Sequence, residues 1–416
     1  MDLHPTGIVE AALAPGRLVP AYQPIVELDT HRVVAFEALA RWPGQDGLDP
    51  ATVFGAAAAL DRVAEVDWAC RAAAIGAALE ADLPGEVSLF VNVEPATLGQ
   101  RPPAGYEDLL DEAPDRIRVV LELTERALLR DPAHVLSMVS WAHERGWGIA
   151  MDDVGAEPAS LQFLPFVAPE VVKLDLSLIQ QIHGRPQSET MMAVLAHVEE
   201  TGAVLLAEGI ETEAHLEQAL SLGAQYGQGW AFGRPGPLEV TGPVASLPEV
   251  KKQSAPTVTP FDLVEDSPRL RRSPKGLLLG LTYQLERRAV SPHEPAILLA
   301  AFQHRENFTA PTALRYEQMV QRLPFVAAFA EGMDVEPVPG VRGARLEPGD
   351  PLIGEWTVVV IGPHYAGALI ARDCGEDVAD LDRHFDYVLT HQREVVLRAG
   401  RSLMSRIVGA DAFARN

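Results

Sequence analysis

Five short apolar runs in this 416-residue chain end on an acid or an amide. Val-Val-Ala-Phe leads into Glu37, Ser-Leu-Phe-Val into Asn92, Val-Val-Leu into Glu122, Gly-Ile-Ala-Met into Asp152 and Asp153, and Val-Leu-Leu-Ala into Glu208. A buried strand that finishes on a carboxylate needs a compensating charge, because an unpaired buried carboxylate costs several kcal/mol or takes up a proton. One such ending is ordinary, a capped turn or a surface ion pair. Five in one stretch imply a shared mouth on which oxygen ligands converge. The donors Glu37, Asn92, Glu122, Asp152 and Glu208 include no cysteine or histidine, and hard oxygen donors suit Mg²⁺ or Mn²⁺ rather than Zn²⁺. The Asp152-Asp153 pair offers one carboxylate to bridge two ions and another to bind a neighbouring ion. Such a two-metal site, with ions about 3.5–4 Å apart, cleaves phosphodiesters. Lys173, inside Val-Val-Lys-Leu-Asp-Leu, is expected to face the same mouth, with Asp175 two residues on as its partner.

These residues need a scaffold that brings strand ends together. Strand-like runs are expected at 19–28, 33–41, 87–93, 118–123, 148–154, 171–175, 203–210 and 226–231. Helical segments are expected between most of them, at 51–60, 65–81, 132–145, 188–201 and 212–222. Near-continuous apolar strands alternating with helices indicate a parallel sheet covered on both faces. Eight strands in roughly 225 residues favour a closed (β/α)8 TIM-like barrel, typically ~250 residues, with its site at the carboxyl ends of the strands. The short turn at 29–32 makes the first two strands antiparallel neighbours, since a parallel crossover needs about a dozen residues. The expected domains are a barrel over 1–240, a linker over 241–274 and an α+β domain over 275–416. In the last, a helix is expected at 275–288, strands at 325–329, 356–361 and 366–371, and a closing amphipathic helix at 384–406.

A formal charge of −24 argues against general affinity for nucleic acid or for an anionic membrane. Cys70 and Cys374 supply neither a disulfide framework nor a metal spacing, and the start Met-Asp-Leu-His-Pro is not of secretory type. A cytoplasmic protein is the expectation. Trp42, Trp68 and Trp141 are read as packing residues, and His134 and His143 share no metal-like spacing with acids.

The ordered motifs Tyr22-Gln-Pro-Ile, Phe36-Glu-Ala-Leu-Ala-Arg41-Trp, Val91-Asn-Val, Leu121-Glu-Leu-Thr-Glu125, Met151-Asp-Asp-Val-Gly, Val172-Lys-Leu-Asp, Ala207-Glu-Gly-Ile-Glu211 and Gly227-Gln-Gly-Trp-Ala-Phe-Gly-Arg-Pro resemble those of the EAL domain. That family consists of metal-dependent phosphodiesterases that open cyclic di-GMP to linear pGpG. The resemblance, over about 17–237, implies that Glu37, Asn92, Glu122 and Asp152 hold one metal, and that Asp152, Asp153 and Glu208 serve a second. It implies Glu208 as general base, Lys173 as the group orienting water, and Gln23, Leu39, Arg41, Asp175 and Gln228 as substrate contacts. Glu125 would anchor the loop after Asp153, and Glu211 would support Glu208. A homodimer through the barrel is also implied. The loop Val154-Gly-Ala-Glu-Pro-Ala-Ser160 departs from the family's usual Phe-Gly-Thr-Gly-Tyr-Ser-Ser. The departure bears on second-metal affinity and turnover, and it raises the rival reading of a cyclic-di-GMP receptor with weak or no catalysis.

Residues 276–405 carry Phe302-Gln-His, Phe325-Val-Ala-Ala-Phe, Gly340-Val-Arg-Gly, Asp350-Pro-Leu-Ile-Gly-Glu-Trp and Arg383-His-Phe-Asp-Tyr-Val-Leu-Thr, and resemble the DICT sensory domain. This implies a sensory role with an unknown signal or protein partner. His364 and Arg372, near the turn and end of the hairpin in this domain, are read as turn caps, with a ligand contact as the alternative.

Overall fold

The computed structural model describes residues 4–45, 47–97, 103, 105–124, 132–155, 163–180, 185–249, 258–290, 296–362 and 364–407. The chain divides into two compact units: Met1–Ala127, Met138–Pro158 and Ala168–Ser254 form unit 1, and Leu128–Ser137, Ala159–Val167 and Ala255–Asn416 form unit 2.

In unit 1, eight strands close a barrel in chain order. They are β1 (Val19–Glu27), β2 (Val33–Arg41), β3 (Ser88–Asn92), β4 (Arg118–Thr124), β5 (Gly148–Val154), β6 (Val171–Leu174), β7 (Val204–Ala207) and β8 (Tyr226–Gln228). β1 is antiparallel to both β2 and β8, and the pairs from β2–β3 to β7–β8 are parallel. The reversed strand expected from the short turn is present. Helix starts carry local signals. Asp49 accepts from Thr52 N at 2.7 Å ahead of Pro50, and Thr212 accepts from His215 N at 3.3 Å, each satisfying an otherwise orphaned helical N–H.

The inside of the barrel is built in two layers. The lower is apolar and draws on every strand: Ile25, Ala35, Phe90, Val120, Ala150, Val171, Leu206 and Tyr226. Side chains two residues apart on a strand share a face. Stepping two residues toward the mouth from these eight gives Gln23, Glu37, Asn92, Glu122, Asp152, Lys173, Glu208 and Gln228. Each strand thus buries one apolar residue and raises one polar residue above it. The opposite end is closed by the chain after β8. Val244 bridges to Val33, Leu247 joins the apolar layer, and Arg118 Nη1 donates to Leu247 O at 2.7 Å.

Unit 2 has a seven-stranded mixed sheet. Its strands are β9 (Arg271–Pro274), β10 (Ile297–His304), β11 (Phe325–Glu331), β12 (Arg342–Leu346), β13 (Glu355–Ile361), β14 (Ala366–Asp373) and β15 (His384–Thr390), in the order β12-β11-β10-β13-β14-β15-β9. The helices Lys275–Ala289 and Ala310–Met319 pack their apolar residues, among them Leu278, Leu285 and Tyr316, against the sheet residues Leu298, Val326 and Val358. The helix Arg393–Met404 lies against β13 and β14. Also within this unit, Gly400 sits under Phe166, Arg401 Nη2 donates to Pro165 O at 2.8 Å, and Phe163 meets Phe325 edge-on at 5.6 Å. The chain therefore enters unit 2 between β5 and β6.

Four expectations are corrected. The closing helix does not begin at His384: residues 384–390 form β15, paired to β14 and β9, and the helix starts at Arg393. His-Phe-Asp-Tyr-Val-Leu-Thr places Phe385, Tyr387 and Val388 in the core, and strand pairing on both sides overrides its helical reading. The stretch 241–274 is not a free linker in its described parts. Its start closes the barrel, and Glu355, fully buried, accepts from Thr259 Oγ1 and from Phe261 N at 3.0 Å. Arg372 is not a turn cap, because its Nη2 bridges Asp262 at 2.8 Å and Glu355 at 3.1 Å. The last strand is also shorter than expected, ending at Gln228.

Candidate active site

Lys173 stands at the centre of the polar layer. Its Nζ lies 2.5 Å from Glu122 Oε1, 2.8 Å from Glu208 Oε1, 3.0 Å from Asp152 Oδ1 and 3.9 Å from Glu37 Oε2. Its side chain is 1% exposed. Burial alone would lower the lysine's pKa, but the carboxylates of Asp152, Glu122, Glu208 and Glu37 together hold it well above its ordinary value. Lys173 is therefore a fixed cation.

The acids also shift upward, which for them favours the neutral form. Burial, reinforced by Glu37, raises Glu122 well above the usual carboxylate range. Burial also pushes Glu208 up to about 7, with Asp152 and Glu37 adding to the rise and Lys173 opposing it. Four carboxylates surround one ammonium, so fully ionised they leave three formal negative charges (four minus one). Glu122 Oε2 is buried without a hydrogen bond.

Amides complete the layer. Gln228 Nε2 donates to Glu37 Oε2 at 2.6 Å and to Gln23 Oε1 at 3.2 Å, while Asn92 Nδ2 donates to Glu37 Oε1 at 3.2 Å. Gln23 Nε2 donates in turn to Gly233 O at 3.1 Å. Glu37 is thus oriented from both sides.

Asp152, Asp153 and Glu208 present ligand oxygens that all lie within 4.8 Å of one another. Asp153 has φ +57°, and its N–H donates to Asp152 Oδ1 at 3.0 Å. Two glycines hold the adjoining turns. Gly155 has φ +110°, and a Cβ there would lie 2.5 Å from Leu178 Cδ1. Gly209 has φ +68°, and its Cβ would lie 2.8 Å from Leu176 Cβ. Neither backbone position suits a side chain. Gln180 Nε2 fastens Gly209 O at 2.7 Å.

The fit to divalent metal is chemical: an all-oxygen donor set, a surplus of negative charge and an orphaned buried carboxylate oxygen at Glu122. Hard cations satisfy such sets.

Of the remaining expected residues, Leu39 and Arg41 line a cavity of about 210 Å³ that Asn92 of the polar layer also lines. Arg41 Nη1 donates to Ala40 O at 2.9 Å. Asp175 does not pair with Lys173; its Oδ1 accepts from Ser177 N at 2.8 Å and caps the helix Leu176–Gln180. Glu211 is exposed and makes no hydrogen bond to Glu208, so the expected support is not formed. Glu125 and residues 156–160 lie outside the described residues. Sequence reasoning missed Asp67 and Arg71, a buried pair at 2.6 Å lining the same cavity, with the Arg71 guanidinium 3.7 Å from the Trp68 ring centroid. Their i, i+4 spacing within a helical, alanine-rich run was the available signal.

Residues 7–235 match the family model described as EAL domain, and residues 260–373 match that described as sensory domain in diguanylate cyclases and two-component systems. The cyclic di-GMP phosphodiesterase RocR of Pseudomonas aeruginosa is 31% identical over 244 residues, covering 57% of this chain and 62% of the relative. The probable cyclic di-GMP phosphodiesterase PdeN of Escherichia coli is 28% identical over 244 residues, covering 57% and 47%. The solved structure of Klebsiella pneumoniae BlrP1 in a manganese and cyclic di-GMP complex has 30% identity and a TM-score of 0.47, with coverage of 54% of this chain and 57% of that one. The chain thus spans less than two thirds of the length of each of these proteins. Among the described residues, no helix is long and apolar enough to cross a membrane.

Proposed function

Because this chain belongs to the EAL-domain family and carries a DICT sensory domain, we propose that it hydrolyses one phosphodiester bond of cyclic di-GMP to give linear pGpG. The observation that supports this most is the convergence of Glu37, Glu122, Asp152, Lys173 and Glu208 in one buried layer at the strand ends. A barrel that only scaffolds gains nothing from burying so much like charge.

Glu37, Asn92, Glu122 and Asp152 would hold one ion, and Asp152, Asp153 and Glu208 a second; Mg²⁺ and Mn²⁺ are the ions that suit these donors. Bound divalent ions supply charge stabilisation at the phosphoryl oxygens and acidify water. The chain's own groups do the rest. Glu208, with its carboxyl near pH 7, takes the proton of the attacking water. Lys173 holds that water in line and screens the phosphate. Gln23 and Gln228, already hydrogen-bonded to each other, face the ligand from the β1–β8 side, and Arg41 with Leu39 receives it on the other. Attack at phosphorus breaks one P–O bond and leaves a hydroxyl at one end of the opened ring and a phosphate at the other. The protein is further proposed to act as a homodimer through its barrel.

One rival has a specific basis. The replacements at Ala156, Glu157 and Pro158 favour a receptor that binds cyclic di-GMP without turnover. Incubation of the purified chain with cyclic di-GMP and Mn²⁺, with products separated chromatographically, decides between them. Linear pGpG that disappears in Glu208→Gln supports the enzyme. Tight binding with no product establishes the receptor, and neither binding nor product sinks both.

A further inference from the structure

Unit 2 holds a cavity of about 280 Å³ between the helix Lys275–Ala289, the helix Ala310–Met319 and the ends of β10 and β13. Its wall includes Leu279, Tyr283, Phe302 and Trp356. Its polar residues are unevenly served. Glu286 is 2% exposed, and its Oε2 accepts from Arg315 Nε at 3.1 Å, while its Oε1 has no hydrogen bond. Thr282 Oγ1, one turn away, is likewise buried and unpartnered. The Tyr316 hydroxyl behind them faces Glu286 closely enough for each to shift the other's titration, though outside hydrogen-bond geometry. Native interiors seldom leave buried acceptors unmet, so each such group needs an explanation. Gln303, also on the wall and 7% exposed, holds φ +64° where the β10–β11 register shifts between Ala301 and His304, and its Oε1 accepts from Arg383 Nη2 at 3.3 Å.

We propose that this cavity is a binding site for a small, uncharged, planar nitrogen heterocycle whose N–H groups donate to Glu286. The charge pattern selects that class. Among the described residues, both cations on the wall are already paired, Arg315 with Glu286 and Lys275 with Asp380 at 2.7 Å. An anionic ligand would therefore meet Glu286 with no free cation among them to receive it. A hydrocarbon would fill the aromatic wall but leave Glu286 Oε1 and Thr282 Oγ1 unmet. A metal ion would find a single buried carboxylate that an arginine already neutralises. A neutral heterocycle with an exocyclic amine or ring N–H meets the free carboxylate oxygen, stacks on the aromatic side chains and adds no charge. Asn307, Thr309 and Thr312 line the remaining edge and can satisfy its outer polar atoms. The site stands on unit 2 alone and does not depend on the phosphodiesterase reading.

The test uses the full chain and 2-aminopurine, a fluorescent heterocycle of this class that is quenched on stacking. Saturable quenching is expected, weakened at least tenfold in Glu286→Gln, which keeps the shape and removes the acceptor. Leu279→Phe, which fills the cavity from a partly exposed position, should weaken it as well, with thermal melts confirming that both variants fold. Excess cyclic di-GMP should leave the quenching unchanged. Absence of saturation at millimolar probe, equal affinity in a folded Glu286→Gln, displacement by cyclic di-GMP, or tighter binding of benzoate would each overturn the assignment.

Discussion

Lys173 Nζ and Glu122 Oε1 are 2.5 Å apart, and both side chains are sealed from solvent at 1% exposure or less. The pair is the hub of the polar layer, since the same ammonium also reaches Glu208 and Asp152. Removing one member of such a group leaves uncompensated buried charge, which costs far more than the net worth of the pair. Lys173→Met is expected to lower the metal-free protein's unfolding free energy by about 3–5 kcal/mol. Urea titration measures this, and saturating Mg²⁺ should recover part of the loss. A metal-free variant as stable as the parent would show that this lysine does not offset the charge of the buried carboxylates.

Glu208 makes cation uptake depend on pH. Its carboxyl is pushed up to about 7, so below that pH a proton must leave before an ion can bind. Mn²⁺ affinity measured calorimetrically should rise by roughly tenfold per pH unit below pH 7 and flatten above it. Glu208→Gln should reduce that slope. The linkage to folding has the opposite sign. Because the folded pKa exceeds the ordinary 4.5, this group's contribution to metal-free stability is fullest below pH 4.5 and is lost as pH rises through about 7. Melting the metal-free protein across that window reads the effect.

Asp152→Asn tests the bridging ligand. The variant retains the hydrogen-bonding shape but loses the charge shared between the two proposed ion sites. Turnover of cyclic di-GMP should fall by about 10³-fold, in line with the several kcal/mol that metal-ion stabilisation supplies, with an unchanged circular dichroism spectrum. Full activity in this variant would remove the two-metal assignment.

Gly209→Ala probes the turn behind Glu208. The added Cβ would enter a left-handed residue and lie 2.8 Å from Leu176 Cβ. A loss of about 1–2 kcal/mol is expected from the backbone conformation alone, together with weaker Mn²⁺ binding as Glu208 is displaced. Denaturant midpoint and calorimetry report the two effects separately.

The barrel and its mouth were legible in the sequence for one reason. A strand buried on both faces is almost wholly apolar, so a charged residue at its end is conspicuous, and this pattern recurs through Glu37, Glu122, Asp152 and Glu208. Lys173 was legible by the same contrast. Asp67 and Arg71 were not, since an i, i+4 ion pair on a helix looks the same whether solvated or buried. β15 was misread because its seven residues suit either period, and only its pairing with β14 and β9 decides. The ordering of residues near 259–262 depends on Glu355 and Arg372, about a hundred positions away, where local composition says nothing.

The passage of the chain through unit 2 has one more consequence. That excursion is the segment Ala159–Val167, whose Pro165 and Phe166 are met by Arg401 and Gly400. A valine at position 400 would push against Phe166 and Ile361. Such crowding costs about 1–3 kcal/mol, which a denaturant midpoint reads. The returning chain is thereby part of the second unit's own core, so loosening the last helix costs that unit folded stability rather than surface detail.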